Sequence, residues 1–248
     1  MPALGGPRRV ALLGAGQFRP VGATHDGNDS AARGADLTGL VDGKEGTISG
    51  WIRVNAANGV NSAVFDTSSG RLRFFRTTAN VVRILATNSA GTTLLSMLTT
   101  TTVTASSVWR HVYAYWKLDE ANHRGLYLDG ALDLSGTITF TDGTIDYTAG
   151  NSWIGSLSGG STSRWSGGLA ELWFHPVSLG AAGLSYFRTA TGKARNLGLT
   201  GELPLGFAPI LYNTLRPGQA AADFVTNRGT GGGYTLTGTL ETEAGPNG

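Results

Sequence analysis

The most oxygen-rich cluster of side chains lies near the amino-terminal end of the chain. Asp26, Asn28 and Asp29 fall within the run His25-Asp26-Gly27-Asn28-Asp29. A hard cation such as Ca²⁺ prefers carboxylate and amide oxygens, so these three residues are the candidate metal ligands. Their spacing differs from that of a dedicated calcium loop, and Asp-Gly-Asn is also a common turn sequence. We therefore favour a turn and keep a calcium site as the alternative.

The positions of the other acidic side chains indicate whether the protein could hydrolyse a glycosidic bond. Cleavage of a glycosidic bond needs one carboxylic acid to protonate the leaving oxygen and a second carboxylate close by. Glu171 is the only acid in its predicted strand, and Asp119 and Glu120 fall in a predicted loop. The four histidines lie in separate segments and match neither metal-ligand spacing nor a catalytic triad. The sequence therefore predicts that the protein is not an enzyme.

Six tryptophans suggest sugar binding, because an aromatic face offers a ligand a broad apolar surface. Trp165 stands in the polar run Ser161–Ser166, so we expect it to be the most exposed of the six. Trp165 and the adjacent Arg164 are the candidate glycan-binding residues, with packing of Trp165 as the favoured alternative. Four others lie within strand-like sequence patterns and are expected in the core, namely Trp51, Trp109, Trp116 and Trp173.

Composition limits the classes of protein that fit. The 248 residues can bury one substantial core, and 38 glycines suit a fold with many tight turns. A net charge of +2 gives no basis for nucleic-acid binding. No apolar run approaches the roughly 18 residues of a membrane helix. We interpret Val10–Leu13 as a strand rather than a signal peptide, and the lack of cysteine fits folding in a reducing cytoplasm.

Short runs of β-branched, aromatic and aliphatic residues are separated by turn residues as far as Phe174. This spacing predicts an all-β, two-sheet antiparallel sandwich. One helix is predicted from about Ser178 to Thr191, where Gly192 ends it. The predicted strands are Val10–Leu13, Thr47–Val54, Ser62–Asp66, Arg71–Arg76, Val81–Thr87, Thr92–Met97, Thr99–Thr104, His111–Trp116, Gly125–Leu128, Thr137–Phe140, Ser152–Ile154 and Gly168–Phe174.

The character of the chain changes after Gly192. Residues 193–248 are rich in Gly, Pro, Thr and Ala but keep apolar residues such as Phe207, Tyr212 and Phe224. Such a segment cannot form a core of its own. We therefore predict a sandwich domain at residues 1–192 and an extended C-terminal arm at residues 193–248 that docks on the sandwich or on a neighbouring subunit.

Five short sequence motifs follow one another in a characteristic order: Gly46–Val54, Trp109–Tyr113, Leu126–Gly130, Trp153–Ser156 and Gly167–Phe174. This order resembles the laminin-G-like members of the concanavalin-A-like lectin/glucanase jelly rolls. The resemblance implies a jelly-roll sandwich. Laminin-G-like domains often carry calcium at the rim, which supports the calcium alternative for Asp26, Asn28 and Asp29.

Other segments are similar to laminin-G-like proteins encoded by tailed phages and prophages: Asp26–Lys44, Asn88–Thr93, Thr144–Thr148 and the closing block Phe224–Gly238. That resemblance implies a non-enzymatic virion protein, either a head decoration or spike or a tail or fibre component. Its expected partners are other virion proteins and identical subunits, with host-surface glycans as candidate ligands. Two alternatives stay open: a stand-alone carbohydrate-binding lectin-like module and, second, a glycoside hydrolase or lyase of the same fold.

Overall fold

Two antiparallel sheets of eight strands each pack face to face as a sandwich. The computed structural model describes residues 18–56 and 58–248. Strands account for 39% of the chain and helices for 7%. The predicted all-β jelly-roll sandwich with one short helix is therefore confirmed, while the predicted strand Val10–Leu13 lies outside the described residues.

The first sheet has the order β10-β9-β8-β3-β13-β1-β16, with β14 also paired to β13. The second has the order β11-β7-β6-β5-β4-β12-β2-β15. The strands are β1 Val21–Asp26, β2 Ser30–Ala32, β3 Glu45–Ile52, β4 Ser62–Thr67, β5 Leu72–Arg76, β6 Val81–Thr87, β7 Thr93–Thr102, β8 Arg110–Lys117, β9 Arg124–Leu128, β10 Ala131–Leu132, β11 Thr139–Phe140, β12 Ser152–Ile154, β13 Ser166–His175, β14 Leu211–Asn213, β15 Thr235–Thr237 and β16 Glu241–Ala244.

Period-two alternation directs the side chains of each strand either into the core or away from it. On β5, Leu72 and Phe74 are fully buried in the core between the sheets. Arg73 lies between them in sequence and therefore projects from the outer face of the second sheet. The two strands predicted at Thr92–Met97 and Thr99–Thr104 form the single strand β7, because pairing with β6 continues from Thr93 to Thr102 across register shifts.

The C-terminal segment 193–248 contributes strands to both sheets. β14 pairs with β13 and β16 with β1 in the first sheet, whereas β15 pairs with β2 in the second. Gly231 packs against the segment before β14, where an added Cβ would lie 2.6 Å from the carbonyl oxygen of Ile210. The chain thus returns to close both sheets, and the domain boundary at residue 192 stays a prediction.

The helix is shorter than the sequence pattern predicts. Helix α1 comprises Leu184–Phe187 and follows a 3₁₀ turn at Ala181–Gly183. The helix cannot begin near residue 178, because the backbone amide of Leu179 donates to Thr47 Oγ1 and Gly180 has a φ of 61°. Arg188 has extended backbone and ends α1 well before Thr191. No helix in the described part of the chain is long and apolar enough to cross a membrane.

The outer face of the first sheet is covered by the chain itself, and we call it the covered face. An aromatic cluster there comprises Tyr113, Tyr115, Trp173, Phe187 and Tyr212. The Tyr113 hydroxyl donates to the carbonyl of Gly180 at 2.6 Å, and Trp173 Nε1–H donates to the carbonyl of Gly201 at 3.0 Å. These bonds hold the segment between residues 179 and 205 against the sheet.

Candidate functional site

The oxygen-rich cluster forms the turn between β1 and β2. Asp29 is buried, and its two carboxylate oxygens accept hydrogen bonds from the amides of Asp26 at 3.0 Å and Thr239 at 2.7 Å. Asp26 accepts a bond from the Asn28 amide, and this bond lowers the pKa of Asp26 below its usual value. The carboxylates thus close a turn and tie it to the C-terminal segment.

Donors within the protein engage the carboxylate oxygens of this turn. All four carboxylate oxygens of Asp26 and Asp29 accept hydrogen bonds from the protein. Among residues 18–56 and 58–248, no group of three or more His, Cys, Asp or Glu side chains could hold a metal ion. The structure therefore supports the turn interpretation, and a calcium site at Asp26, Asn28 and Asp29 stays a prediction.

Trp165 packs in the core, which confirms the favoured alternative of the sequence analysis, and it is not the most exposed of the tryptophans. Its amide donates to the carbonyl of Gly155 at 2.8 Å, and its side chain is 1% exposed within the core between the sheets. A ring in that position cannot stack on a sugar. The polar neighbours of Trp165 in sequence lie on the surface, while backbone pairing turns the indole inward.

Arg164 lies at the surface, and its side chain stabilises its own loop by hydrogen bonds to backbone carbonyls. Its Nε–H donates to the carbonyl of Gly160 at 2.8 Å, and Nη1 donates to the carbonyl of Asn28. The structure thus brings Arg164 together with the β1–β2 turn but directs its guanidinium to backbone carbonyls. The two predicted glycan-binding residues do not form a joint site.

Glu171, the single acid of β13, is buried between the covered face and the C-terminal segment. Its carboxylate accepts hydrogen bonds from the hydroxyls of Tyr212 and Thr214 and pairs with Arg216 Nη1 at 2.7 Å. Glu171 has a φ of 49° at the point where the pairing of β13 with β3 shifts register.

Another acid considered in the sequence analysis lies in a different part of the fold from Glu171. Glu120 is exposed in the β8–β9 turn, where it pairs with Lys117.

A row of paired side chains crosses the outer face of the second sheet, which we call the open face. Strand register aligns the residues of all eight strands in this row. Phe75 and Arg83 form a second paired position beside the row on the same face. In spatial order the row is Thr235, Ala32, Trp153, Asp66, Arg73, Leu85, Ser96 and Thr139.

Two guanidinium groups flank one aromatic ring at the centre of the open face. The Cζ atoms of Arg73 and Arg83 lie 5.7 and 5.9 Å from the centroid of the Phe75 ring. Arg73 Nε–H donates to Asp66 Oδ1 at 2.9 Å, and Arg83 Nε–H donates to Ser96 Oγ at 3.0 Å. Cation–π contact and these bonds hold both guanidinium groups in defined positions.

The charges on this face are only partly compensated. Burial raises the pKa of Asp66, although Arg73 and the Ser158 amide favour its charged form. Burial and the nearby charge of Arg73 lower the pKa of Arg83, yet a guanidinium remains charged at neutral pH. No acid in the described ranges forms an ion pair with Arg83 within 4.0 Å. The centre of the face therefore carries an unpaired positive charge.

The open-face residues were not among the sequence candidates, although a signal was present. Arginines alternate with core residues in the predicted strands Arg71–Arg76 and Val81–Thr87, which a short turn at Asn80 connects. Alternation predicts that Arg73 and Phe75 share one face. Placing Arg83 directly opposite Phe75 also requires the strand register, which the hydrophobic pattern alone did not define.

Comparison with known proteins agrees with this architecture. A protein from Bacteroides ovatus to which carbohydrate binding is ascribed superposes with a TM-score of 0.61 at 12% identity, over 92% of this chain and 60% of that protein. The chain therefore spans 60% of the length of that relative. At this identity the likeness shows a shared fold. No curated protein sequence matches the chain.

Two further solved structures are similar at lower TM-scores. A heptameric SAP-like pentraxin from Limulus polyphemus matches with a TM-score of 0.48 and 15% identity, over 68% of this chain and 81% of the pentraxin. A CBM40 domain of the Ruminococcus gnavus IT-sialidase, solved with α2,3-sialyllactose, matches with a TM-score of 0.46 and 16% identity, over 66% of this chain and 95% of that domain.

A match at the level of sequence relates the chain to a protein family more directly than these structural superpositions do. A family model described as the concanavalin A-like lectin/glucanases superfamily, in its laminin G branch, matches residues 26–185. The matched range begins at the end of β1 and reaches α1, so it includes the strands that form most of both sheets. On that match the chain belongs to the concanavalin A-like lectin/glucanases superfamily.

Proposed function

We propose that this protein is a non-catalytic carbohydrate-binding protein that holds glycans on the open face. The observation that carries the proposal is Arg83, a half-buried guanidinium without an ion pair, placed beside Arg73 and above Phe75. Membership in a superfamily of lectins and glucanases supports a sugar ligand.

The chemistry of the face favours acidic glycans. A guanidinium has five N–H donors in a planar array that matches carboxylate and sulfate oxygens. Phe75 is 7% exposed, so it supports the two arginines from below rather than stacking on a sugar ring. Leu85, which is partly exposed next to Arg73, offers apolar contact to the C–H face of a sugar. We therefore expect sugars with carboxylate or sulfate groups to bind more tightly than neutral ones.

The placement of the acids supports a non-catalytic role. Glu171 is shielded by Tyr212 and paired with Arg216, so it is not free to protonate a leaving oxygen. On the open face, Asp66 is the only acid of the row and it contacts Arg73. Hydrolysis of a glycosidic bond needs two carboxyl groups on either side of that bond.

A glycan array followed by titration calorimetry tests the proposal. We expect the protein to bind uronate- or sulfate-containing glycans, and Arg83→Gln to weaken that binding at least about tenfold by removing charge-assisted hydrogen bonds. Arg83→Lys, which keeps the charge but not the planar donor array, should bind with intermediate affinity.

Arg124→Gln is the matched control, because Arg124 lies 4.6 Å from the centroid of the Phe140 ring in a guanidinium–aromatic pair outside the row. It should bind glycans like the unmodified protein. The proposal fails if Arg83→Gln and Arg124→Gln bind alike, or if no acidic glycan binds. Release of sugar from the array glycans would contradict the non-catalytic part.

We also propose a virion role, which is compatible with glycan binding. The resemblance of the closing block Phe224–Gly238 to phage-encoded proteins supports it. A second support is apolar surface on the C-terminal segment, where Leu199 is 80%, Leu203 57% and Phe207 55% exposed. Exposed apolar side chains close in sequence favour contact with another protein. Mass spectrometry of purified particles tests this role, and absence of the protein from them would reject it.

A further inference from the structure

We infer that a cleft beside α1 is a second binding site, which takes a small ligand bearing an oxyanion such as a carboxylate or a phosphate. The cleft has a volume of about 600 Å³ and is lined by small and apolar residues together with two arginines. It lies on the side of the first sheet, so it is separate from the open face. Its lining includes Gly130, Ala181, Ala182, Leu184, Arg188 and Arg195.

The guanidinium of Arg188 lies next to two turns, each of which has a glycine at the point of contact. An added Cβ at Gly130 would lie 2.6 Å from Arg188 Nη1, and one at Gly192 would lie 2.9 Å from Nη2. Both glycines have positive φ, 88° and 83°. The guanidinium thus lies close to the backbone of both turns, in space that a side chain at either glycine position would take.

The donors of Arg188 are not used by the described protein. Its Nε is buried and has no hydrogen-bond partner, and within the described ranges no acid forms an ion pair with its guanidinium and no hydrogen bond of either Nη atom occurs. Asp129, the acid next to Gly130 in sequence, pairs with Arg110 and accepts the amide of His111. A guanidinium with free donors at the wall of a cleft is suited to bidentate contact with an oxyanion.

The electrostatics of the cleft favour the same ligand class. Arg188 and Arg195 add two positive charges, and the lining contains no acid. His111, close to Arg188, is neutral because burial and that positive charge lower its pKa to about 3. The small side chains of Ala181 and Ala182 leave room for the organic part of a ligand. The cleft is therefore built for an anion with a compact body rather than for a neutral sugar.

The test uses the full chain and defined probes. Calorimetry and amide NMR would follow titration with sodium phosphate, sodium sulfate and galacturonate, with galactose and sodium chloride at matched ionic strength as controls. We expect saturable binding of at least one oxyanion and shifts at the amides of Gly130 and Ala190. Arg188→Gln should weaken this binding at least about tenfold. Arg195→Gln, at an exposed residue that should not affect folding, should weaken it by a smaller factor.

Arg83→Gln separates this inference from the proposed function. It should leave oxyanion binding in the cleft unchanged while it weakens binding of glycans on the open face. A preference for phosphate indicates a phosphorylated ligand, and a preference for galacturonate indicates an acidic sugar; either supports the site. The inference fails if chloride produces the same shifts, if no oxyanion saturates, or if both Arg188→Gln and Arg195→Gln bind like the unmodified protein.

Discussion

The two outer faces of this sandwich differ in the side chains that they present. The covered face carries aromatic residues such as Tyr113 and Trp173, whose polar atoms donate to carbonyls of the segment above them. The open face carries Arg73 and Arg83 around Phe75. Both faces belong to eight-stranded antiparallel sheets, so sheet architecture does not explain the difference.

The difference shows how side-chain chemistry determines which face can be closed. A phenol or an indole has one polar group, and a single backbone carbonyl satisfies it when a chain segment covers the ring. A guanidinium has five donors and a charge, and burying it without an acid is costly. Covering Arg83 would require a counter-charge that the described chain does not place there. The open face thus stays accessible to a ligand that supplies one.

The largest expected effect is at the covered face. Trp173→Ala removes an indole that lies 5.1 Å from the Phe187 ring and donates to Gly201, so we expect a loss of about 4 kcal/mol in the free energy of unfolding. Urea denaturation measures this loss. Leu199→Ala, at an 80% exposed leucine, is the control and should change little. A small loss for Trp173→Ala would mean that the segment above does not pack on the sheet.

Glu171→Gln tests the buried acid below the same segment. The change leaves Arg216 without its carboxylate partner in a largely buried setting, and we expect a loss of about 3 kcal/mol in the free energy of unfolding. Glu120→Gln removes an exposed partner of Lys117 and should have no measurable effect. Equal effects of the two substitutions would show that the Glu171 network does not stabilise the covered face.

The covered face should also weaken in acid through His111. Burial lowers the pKa of His111 from 6.5 to about 3, so between pH 6.5 and pH 4 the unfolded chain binds a proton that the folded chain excludes. Stability therefore falls as the pH falls, by about 3 kcal/mol over this range for this one group. Denaturation at pH 7 and pH 4 should show a smaller drop for His111→Gln. An equal drop for both proteins would contradict the prediction.

The strand pattern of the sequence predicts much of the fold but not its closing edges. Alternation identifies strands such as β5 and β6, because core residues like Phe74 and Ile84 recur at every second position. β16 is mostly exposed and has no such alternation, so only its pairing with β1 defines it. The helix prediction extends too far because Gly180 and a hydrogen bond to Thr47 interrupt the region before it.

The candidate site was less predictable, for a related reason. Trp165 stands in a polar run and is nonetheless core, because a backbone bond to Gly155 turns its side chain inward. Arg73 and Arg83 belong to different strands, and their common position over Phe75 depends on the register of β5 with β6. A sequence pattern describes residues along one strand, whereas this site is defined across strands.

The smallest expected effect on stability is at the open face, and it separates a binding surface from a structural one. Arg83 forms no ion pair within the described part of the chain, and its Nε–H donates to the hydroxyl of Ser96 at 3.0 Å, so Arg83→Gln should lower the free energy of unfolding by about 1 kcal/mol or less. Glycan affinity should nevertheless fall about tenfold, because the variant loses the charged donors of this guanidinium. Denaturation and calorimetry on the same protein give both values. If Arg83→Gln destabilises the fold as much as Trp173→Ala and leaves glycan affinity unchanged, the arginines of the open face serve the sheet rather than a ligand.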